Sequence, residues 1–594
     1  MKYQPLTCVW EVTMGCNMRC GHCGSSCAEP LPNELNTMEA LELCNQIADL
    51  GLKWITLSGG EPLTRKDIPL LIRRLSEKGV SVNMITNGWL LNRSMVEQLK
   101  QSGIATVAIS IDGTKEIHDN IRKEGAFEHA ETSFGLMKEM GIRTGAVTTI
   151  TNQNIHILDE LKEELIRMGV DSWQVQLGLP MGNLKEKPDW LIQPEKVKDI
   201  IDFCYDTAKE GRIKIYPADC IGYYTKKEME IKKISYETDM VSIWDGCNAG
   251  IRGFGILHNG DILGCTSIRD KSYIEGNVRE RLLRDIWEDK DAFSWRRGME
   301  KKDQKGECNY CKYGSKCLGG CPNTRLTMNG DIHSENTYCA YNLQLKRMRE
   351  KYGNMENAQE LFSIGDSMIK QGFYQEAAIA LEQLHKLEPQ NKKALIAKAY
   401  AEYMCGNYEI CKNDNKKAVE LDPDDSDALG GYASALFRLG EQEEAIKIMK
   451  KAASMPGCRE ELKKDLYQME LKKYFREGTN MDTIKFFKLQ NNGGFVVRMQ
   501  VLWSATDAKG DKYSGKYEPS DYHDICASGE RTIDLSENTN IPDGAEVQLK
   551  ASVQLGKDKT ASEKYIYHKD ASQLATYEIS GTTLINTLSL KSYK

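Results

Sequence analysis

Ten of the 19 cysteines fall into two groups whose spacing is typical of iron–sulfur ligands. One is a compact triad that follows an apolar run, and the other is a dispersed set of seven. The triad consists of Cys16, Cys20 and Cys23, and the set consists of Cys247, Cys265, Cys308, Cys311, Cys317, Cys321 and Cys339. A 4Fe-4S cluster takes one thiolate per iron, so a triad leaves one iron without a protein ligand. A reaction can begin at that iron.

The bulk composition favours a metal-binding protein of a reducing compartment. The chain has 594 residues and a net charge of −7, with no Lys/Arg block of the kind that binds nucleic acid. No run of about 20 apolar residues is long enough to span a bilayer, and the N-terminus lacks the pattern of a secretory signal. We therefore expect a cytoplasmic protein that binds neither nucleic acid nor membrane. Thiols in such a protein favour metal binding over disulfides.

Six short β-branched runs must position the triad. They are residues 8–12, 54–57, 82–85, 106–111, 146–150 and 173–177, and helical patterns separate them. Strands that alternate with helices predict consecutive βα units, here a partial (β/α)6 barrel similar to a TIM barrel. The triad follows the first strand, and the loops at the carboxyl ends of such strands hold the chemistry.

Changes of pattern along the chain predict a multidomain α/β protein. We expect the partial barrel at residues 1–185, a helical bridge at 186–243, a cysteine-rich domain at 244–345, a helical repeat domain at 354–478 and an all-β domain at 481–594. The cysteine-rich segment has little apolar periodicity, so metal ligation must supply much of its folding energy. The short strands and turns of the last domain predict a β-sandwich of unknown role.

A period of 34 residues identifies the helical domain as tetratricopeptide repeats. Gly372, Gly406 and Gly440 share this spacing, as do Gly365, Ala399 and Ala433, while Pro389, Pro423 and Pro456 close the units. We expect the small residues to let paired helices cross closely and each proline to end a helix. Such a solenoid suits an extended peptide or a partner protein; the alternative is that the repeats only mediate dimerisation or hold the β-domain.

Three motifs in one order resemble the radical S-adenosylmethionine (SAM) superfamily. The cysteine triad is followed by Gly59-Gly60-Glu61-Pro62 and then by Ser110-Ile111-Asp112-Gly113. The resemblance covers residues 8 to about 180. It implies a 4Fe-4S cluster whose open iron is chelated by SAM and whose reduced form cleaves SAM to a 5'-deoxyadenosyl radical.

The same resemblance implies which residues contact SAM. The candidates are His22, Gly59, Gly60, Glu61, Pro62, Asn87, Ser110, Asp112 and Arg122. His22 would lie beside the adenine, and the backbone at the two glycines would face the ammonium group. Ser110 and Asp112 would suit the ribose hydroxyls, and Arg122 the cofactor carboxylate. Taken singly, the glycine pair or the Ser110-Asp112 pair is compatible with an ordinary turn or strand end.

The seven remaining cysteines match the pattern of the SPASM domain, a module with auxiliary clusters. Carried over to this chain, Cys247, Cys265 and Cys321 would hold one 4Fe-4S cluster. Cys308, Cys311, Cys317 and Cys339 would hold another, which makes three clusters in all. Cys220 is a candidate fourth ligand for the first of these or an inert buried thiol. Zinc sites are the alternative for both groups of cysteines, but the spacing disfavours them.

These motifs predict an enzyme that modifies a ribosomally made peptide or a protein side chain by cross-linking, thioether formation, epimerisation or oxidation. The repeats would bind the precursor peptide or protein, and a flavodoxin-type or ferredoxin-type protein would donate electrons. One alternative is a maturase that forms formylglycine in a sulfatase. Another is a scaffold in which the clusters are structural. The sequence does not identify the substrate or the residue that acts as acid or base.

Overall fold

In the computed structural model the chain forms two compact units, Met1–Asp414 and Asn415–Lys594. The structure describes residues 3–218, 220–237, 246–478, 482–506, 512–519, 524–537, 540–554, 556–583 and 586–593. The predicted start of the cysteine-rich domain at 244–245 lies outside these residues. Among them, no helix is both long enough and apolar enough to cross a membrane.

The first unit is built on a parallel sheet whose first seven strands follow chain order. These strands are β1 (Thr7–Glu11), β2 (Trp54–Ser58), β3 (Ser81–Thr86), β4 (Thr106–Ser110), β5 (Arg143–Ile150), β6 (Ser172–Leu177) and β7 (Lys214–Pro217). The six predicted strands are confirmed. The seventh lies in the segment predicted as a helical bridge, and it pairs with β6 from Ser172 to Val175.

Helices cover the outer face of this sheet. They are α1 (Thr37–Leu50), α2 (Ile68–Glu77), α3 (Arg93–Gln101), α4 (Lys115–Ile121), α5 (Ala126–Glu139), α6 (Leu158–Met168), α7 (Val197–Glu210) and α8 (Lys226–Tyr236). Asn36 caps α1 through a reciprocal bond with Glu39, which fixes where that helix begins. Alternate strand residues such as Trp10, Leu57 and Val107 are buried in one apolar core with the helices.

The cysteine-rich segment extends the same sheet. Strand β8 (Gly253–Ile256) pairs in parallel with β1, and β9 (Asp261–Leu263) and β10 (Ile274–Asn277) continue antiparallel from it. Its helices are α9 (Leu283–Glu288), α10 (Ser294–Arg297), α11 (Glu307–Tyr310), α12 (Gly314–Cys317), α13 (Pro322–Asn329) and α14 (Ala340–Gly353). The thiols of this segment are therefore tied through the backbone to the strand that precedes the triad.

The repeat helices confirm the period, but three of its glycines have a different role from the one predicted. The helices are α15 (Ala358–Lys370), α16 (Tyr374–Leu387), α17 (Lys392–Met404), α18 (Tyr408–Leu421), α19 (Ser426–Leu439), α20 (Gln442–Ser454) and α21 (Glu460–Gly478). Gly372, Gly406 and Gly440 have φ of 79°, 77° and 97° and lie in the turns between helices. They supply left-handed backbone there, whereas Gly365 serves the close crossing, since a Cβ would lie 2.6 Å from Leu381.

The first repeat shares an apolar core with the thiols of the cysteine-rich domain. Cys311, Cys317 and Cys339 are buried together with residues of α14 and with Leu361 and Leu381 of the first repeat. The sequence predicts two separate domains here. Because these small thiols provide little apolar surface of their own, the repeat supplies part of the core that surrounds them.

The C-terminal domain consists of two sheets that enclose one core, which confirms the predicted sandwich-like all-β fold. One sheet contains β11 (Thr483–Ile484), β13 (Val497–Thr506), β14 (Lys512–Tyr517), β16 (Glu546–Val553), β17 (Lys559–Thr560) and β18 (Tyr565–Tyr567). The other contains β12 (Phe486–Asn491), β15 (Glu530–Asp534), β19 (Leu574–Gly581) and β20 (Asn586–Tyr593). The runs that predict this domain leave out β11, β12, β14 and β17. Strands β11 and β17 have only two residues each, and the residues of β14 alternate little in polarity.

Candidate active site

The loop that bears the triad is closed at its base by backbone hydrogen bonds. Cys16 N donates to Ala28 O over 2.7 Å, and Ala28 N donates to Met14 O over 3.1 Å. The Glu34 carboxylate accepts from Met14 N at 2.7 Å and from the Thr13 hydroxyl at 2.8 Å. The chain therefore returns on itself directly after β1, and the three cysteines lie on the part of the loop that this closure encloses.

The triad thiols lie close enough together to influence each other's ionisation. Cys20 is buried with Met18 and Ala126, and the half-buried Cys16 and Cys23 pack against them. Burial raises the pKa of Cys20 to about 11, opposed by Arg122 and assisted by the other two thiols. A metal that binds here must displace the thiol protons, and the positive charge of the metal ions would favour their loss.

Cys27 is a neighbour of the triad that the cysteine spacing does not assign as a ligand. Its thiol donates to the Cys23 sulfur, and this bond lowers the pKa of Cys23. Cys27 is only 4% exposed. Cys27 is therefore a buried thiol that orients and polarises one thiol of the triad.

The glycine pair is required by the approach of two backbone segments. Gly60 N donates to Thr13 O over 2.7 Å, and Glu61 N donates to Gly15 O over 2.8 Å. A Cβ on Gly59 would lie 2.4 Å from Thr13 O, and one on Gly60 would lie 2.2 Å from Gly15 O. The two glycines thus hold the loop after β2 against the triad loop, a role in addition to the predicted approach to a ligand.

We expect Gly60→Ala to destabilise the protein by about 3 kcal/mol, at the upper end of overpacking costs, because backbone atoms cannot rotate away from the new methyl group. The same change should displace the triad loop and lower the iron content of purified protein. Gly135→Ala is the matched control: Gly135 lies within α5 and a Cβ there would meet nothing within 4 Å. It should stabilise the helix by about 0.5–1 kcal/mol. Equal denaturation midpoints for the two variants would contradict this interpretation.

Glu61 is a fully buried carboxylate that joins the loops after β2 and β3. Its two oxygens accept from Thr86 Oγ1 at 2.7 Å, Asn87 N at 2.7 Å and Leu63 N at 3.1 Å. Burial raises the pKa of Glu61, against the effect of these donors. Since protein groups engage both oxygens, Glu61 fixes the loops after β2 and β3, and Pro62 begins a short turn of helix beside it.

Asp112 lies at the centre of a buried network just beyond the end of β4. Its carboxylate accepts from Arg122 Nε at 2.5 Å, contacts His22 Nε2 at 2.8 Å and accepts from Thr149 N at 2.9 Å. Arg122 Nη1 in turn lies 3.9 Å from the Cys20 sulfur. The residues predicted to bind ribose, adenine and carboxylate thus form one network that reaches the triad, with Asp112 engaged by protein donors.

Two further candidates differ in how closely the protein holds them. Asn87 Nδ2 donates to Asn17 Oδ1 over 2.7 Å, and Asn87 Oδ1 accepts from Trp89 N over 3.0 Å, so this side chain ties the loop after β3 to the triad loop. Ser110 is half-buried at the last position of β4. Its register partner is Val147 on β5, which places both residues on the inner face of the barrel.

Two features of the residues present fit SAM bound to a cluster: the three thiols of the triad, and a buried polar atom of His22 that has no partner in the described structure. His22 Nδ1 is buried and has no hydrogen-bond partner in the described structure, although its other ring nitrogen contacts Asp112. A buried polar atom without a partner is costly, and a bound ligand would relieve that cost. His22 lies one residue before Cys23. The triad, His22 and the inner face at Ser110 therefore border one region.

The inner face of the barrel is polar but almost uncharged. Along the middle and the carboxyl ends of β1–β7 it presents Val9, Glu11, Thr56, Ser58, Asn83, Ile85, Ala108, Ser110, Val147, Thr149, Gln174, Gln176 and Tyr216. Glu11 is the charged member of this set, and it is paired with Arg269. A ligand in the barrel would meet amide and hydroxyl groups.

Arg269 connects the cysteine-rich domain to the triad loop, a contact that the sequence did not predict. It follows Cys265 closely, pairs with Glu11 at the end of β1 and donates to Ser25 Oγ over 2.6 Å. Glu11 and Arg269 are 258 residues apart in the chain. Only the parallel pairing of β8 with β1 brings them together, so a local motif could not have identified this contact.

Four thiols of the cysteine-rich domain line one pocket. Cys308, Cys311, Cys317 and Cys339 surround it together with Tyr224 and Asn342. Burial raises the pKa of Cys317 to about 12, with further increases from Cys311 and Cys308. Asn342 Nδ2 donates to the Cys308 sulfur over 3.4 Å. This grouping supports the carried-over ligand set of the second auxiliary cluster.

The other three assigned thiols are grouped less clearly. Burial and the nearby Cys321 thiol raise the pKa of Cys265, which indicates that these two thiols are neighbours. Cys247 and Cys321 pack against the same apolar cluster. Cys321 N donates to the Tyr223 hydroxyl over 3.0 Å, and the Cys220 sulfur lies within electrostatic range of the same tyrosine. Cys220 therefore lies near this group, with its sulfur accepting from Leu177 N at 3.4 Å.

Across the described residues, no three His, Cys, Asp or Glu side chains converge tightly enough to hold a single metal ion. What the fold establishes at these places is the grouping of thiols, with the loops and hydrogen bonds that produce it.

Comparison with known families agrees with the three motifs. Residues 10–165 match the model of the radical SAM superfamily, residues 247–312 match that of an iron-sulfur cluster-binding domain called SPASM, and residues 416–457 match a tetratricopeptide repeat. These matches confirm the resemblances drawn from the cysteine spacing and the 34-residue period.

Proteins similar to this chain include one named for heme synthesis and one named for cyclisation of a peptide. Over 354 residues the chain is 30% identical to the AdoMet-dependent heme synthase of Methanosarcina barkeri, covering 57% of this chain and 98% of that protein. It is 27% identical to the PqqA peptide cyclase of Granulibacter bethesdensis, covering 57% and 87%. The crystal structure of Streptococcus suis SuiB bound to S-adenosylmethionine is similar with a TM-score of 0.46 and 20% identity, covering 56% of this chain and 76% of that one.

Proposed function

We propose that this chain, which belongs to the radical SAM superfamily, modifies a ribosomally made peptide or a protein side chain by cross-linking, thioether formation, epimerisation or oxidation. When bound, SAM and the cluster supply one-electron cleavage to a 5'-deoxyadenosyl radical, which abstracts a hydrogen atom from the substrate. The protein's part is to hold these groups, orient the substrate and exclude water.

The residues around the triad have different roles in this function. Cys16, Cys20 and Cys23 would hold the cluster, while Ser110 and the unpaired nitrogen of His22 border the region that SAM would fill. Asp112 and Glu61 act on the site through other groups, because protein donors engage their carboxylate oxygens. They are therefore positioning residues: Asp112 for His22 and Arg122, and Glu61 for the loops.

The observation that carries the substrate class is the inner face of the barrel. A peptide presents backbone amides and mostly neutral side chains, which pair well with serine, threonine, asparagine and glutamine. A heme precursor presents several carboxylates, and burying them calls for cations. Along the middle and the carboxyl ends of the strands, the polar groups of the inner face are mostly hydroxyls and amides, and the carboxylate of Glu11 is matched by Arg269. This pattern favours a peptide.

A second candidate is chemistry on a heme precursor, and the relative named for heme synthesis favours it. That relative is aligned over 98% of its own length. The alignment nevertheless covers 57% of this chain, so about two fifths of it lies outside the alignment. The radical SAM and SPASM models match residues 10–165 and 247–312, which precede the repeats and the β-sandwich. An enzyme for a small macrocycle does not require those domains, whereas repeats that bind extended peptides suit a macromolecular substrate.

The test uses the full-length holoprotein with SAM and dithionite and follows both 5'-deoxyadenosine and the mass of the candidate substrate. Candidates are peptides encoded by short reading frames beside this gene, the chain itself, and an iron porphyrin with free propionates. We expect a peptide to increase 5'-deoxyadenosine release about tenfold or more, since remote binding energy promotes the chemical step. That peptide should also change in mass. Turnover of the porphyrin with no effect of any peptide would overturn the proposal.

A further inference from the structure

A groove with a cationic rim lies between α7 and α14, next to the pocket of four thiols. It has a volume of about 510 Å³. Its floor is apolar and its rim is mostly basic. The floor contains Ile201, Ala340, Leu343 and Met348, and the charged residues are Lys198, Lys227, Arg347, Lys351, Glu195 and Asp202.

The charge of this groove is opposite to that of the whole protein. Four cations against two carboxylates leave two positive charges in the groove, while the chain as a whole carries −7. Asp202 is shared by Lys198 and Lys227. Arg347 and Lys351 are both exposed on α14. A positive patch on an acidic protein attracts an acidic partner and raises the rate of encounter at low salt.

The groove and the thiol pocket share the first turn of α14. Cys339 caps this helix, and its sulfur accepts from Asn342 N at 3.5 Å. Asn342 faces the pocket, whereas Ala340 and Leu343 of the same turn form part of the groove floor. Only one peptide bond separates Cys339 from the floor, and adjacent Cα atoms are about 3.8 Å apart. A redox group seated in the groove would be close to a cluster held by Cys339.

We propose that the basic groove receives an acidic one-electron carrier protein, which delivers electrons to the cluster held by Cys308, Cys311, Cys317 and Cys339. In each encounter the reduced carrier loses one electron and that cluster gains one, with no atom transferred. The proposal rests on the proposed function, because radical cleavage of SAM consumes electrons one at a time. A small groove with a charged rim suits the brief encounters of redox partners, which bury less than about 1,200 Å².

The test measures the oxidation of flavodoxin hydroquinone by the oxidised holoprotein in a stopped-flow instrument, without substrate. The groove variant is Arg347→Glu with Lys351→Glu. The control is Lys53→Glu with Lys290→Glu, which changes the net charge equally at two exposed lysines elsewhere. We expect the second-order rate constant of the groove variant to fall about tenfold or more at low salt, and that of the control to change less than about twofold. Increasing salt should slow the wild type and barely affect the groove variant.

Dithionite is small and needs no docking surface, so release of 5'-deoxyadenosine with dithionite should be the same in all three proteins. Equal flavodoxin rates for the groove and control variants would overturn the proposal. So would a groove variant that loses affinity for an acidic peptide while its flavodoxin rate is unchanged, since the occupant would then be substrate. Because the flavin signal requires no turnover, failure here and failure of the peptide assignment are separate results.

Discussion

Cys20→Ala is expected to abolish release of 5'-deoxyadenosine while iron bound by the seven downstream cysteines remains. Loss of a residue that only supports a metal ligand lowers metal affinity or activity about 10–100-fold. Removal of a ligand itself should therefore lower activity more than about a hundredfold. Cys20 is the buried member of the triad and lies beside Arg122, so water cannot easily replace its sulfur. The measurement is anaerobic chromatography of 5'-deoxyadenosine, with iron and sulfide analysis of the same sample. Cys16→Ala and Cys23→Ala should behave alike.

Cys204→Ala provides the matched control. Cys204 is a fully buried thiol on α7 that belongs to the apolar core of the barrel. Its loss should cost about 1 kcal/mol of stability, as for removal of one small group from a core, and leave SAM cleavage unchanged. If the triad variants cleave SAM as well as this control does, the assignment of the triad is wrong. If the wild type with intact clusters never cleaves SAM, the scaffold alternative gains support.

The sequence predicted well those features that are local in the chain. The triad, the six barrel strands and the prolines that follow α16, α18 and α20 each depend on a short stretch of residues, and the structure places them as expected. Pro389 lies two residues beyond the end of α16 at Leu387, for example. Spacing and alternation within a few turns or strands are sufficient to detect such features.

Features that depend on distant pairing were missed. Strand β7 is a run of four residues in a charged, helical segment, and it becomes a strand because β6 offers it an edge. The ion pair of Glu11 with Arg269 depends on β8 lying beside β1. Neither is visible in local composition, since tertiary context decides β structure more than propensity does.

The shared core of the first repeat and the four-thiol pocket changes how the repeats should be tested. Lys312 N donates to Gln375 Oε1 over 2.8 Å, and the Tyr341 hydroxyl donates to Glu376 Oε1 over 3.1 Å. Deleting all residues from 359 onward would therefore expose the pocket as well as remove the repeats. Loss of turnover in such a deletion would not by itself show that the repeats bind substrate.

Asp112→Asn is expected to lower the free energy of unfolding by about 3 kcal/mol and to weaken SAM binding about tenfold or more. The substitution preserves shape but removes the charge that faces Arg122 and His22. Arg122 would then be a buried cation without its counter-ion, 3.9 Å from the sulfur of Cys20. An asparagine has one acceptor oxygen where the aspartate has two, so the contacts with His22 Nε2 and Thr149 N cannot both be kept, and the His22 ring is held less firmly. Urea titration and calorimetry of SAM binding would measure the two effects.

Asp119→Asn is the matched control, and pH provides an independent check. The two oxygens of the half-buried Asp119 carboxylate accept from Gly125 N and Phe127 N at the start of α5; an asparagine keeps one of these bonds, so its cost should be about 1 kcal/mol. Although burial opposes it, Arg122 and His22 hold the pKa of Asp112 well below its usual range. Its stabilisation is therefore complete above about pH 4, the pKa of an unfolded aspartate, and is lost as the pH falls towards the folded pKa. The stability difference between wild type and Asp112→Asn should shrink over that range. A difference that is constant with pH, or equal losses in both variants, would show that charge at Asp112 does not organise the site.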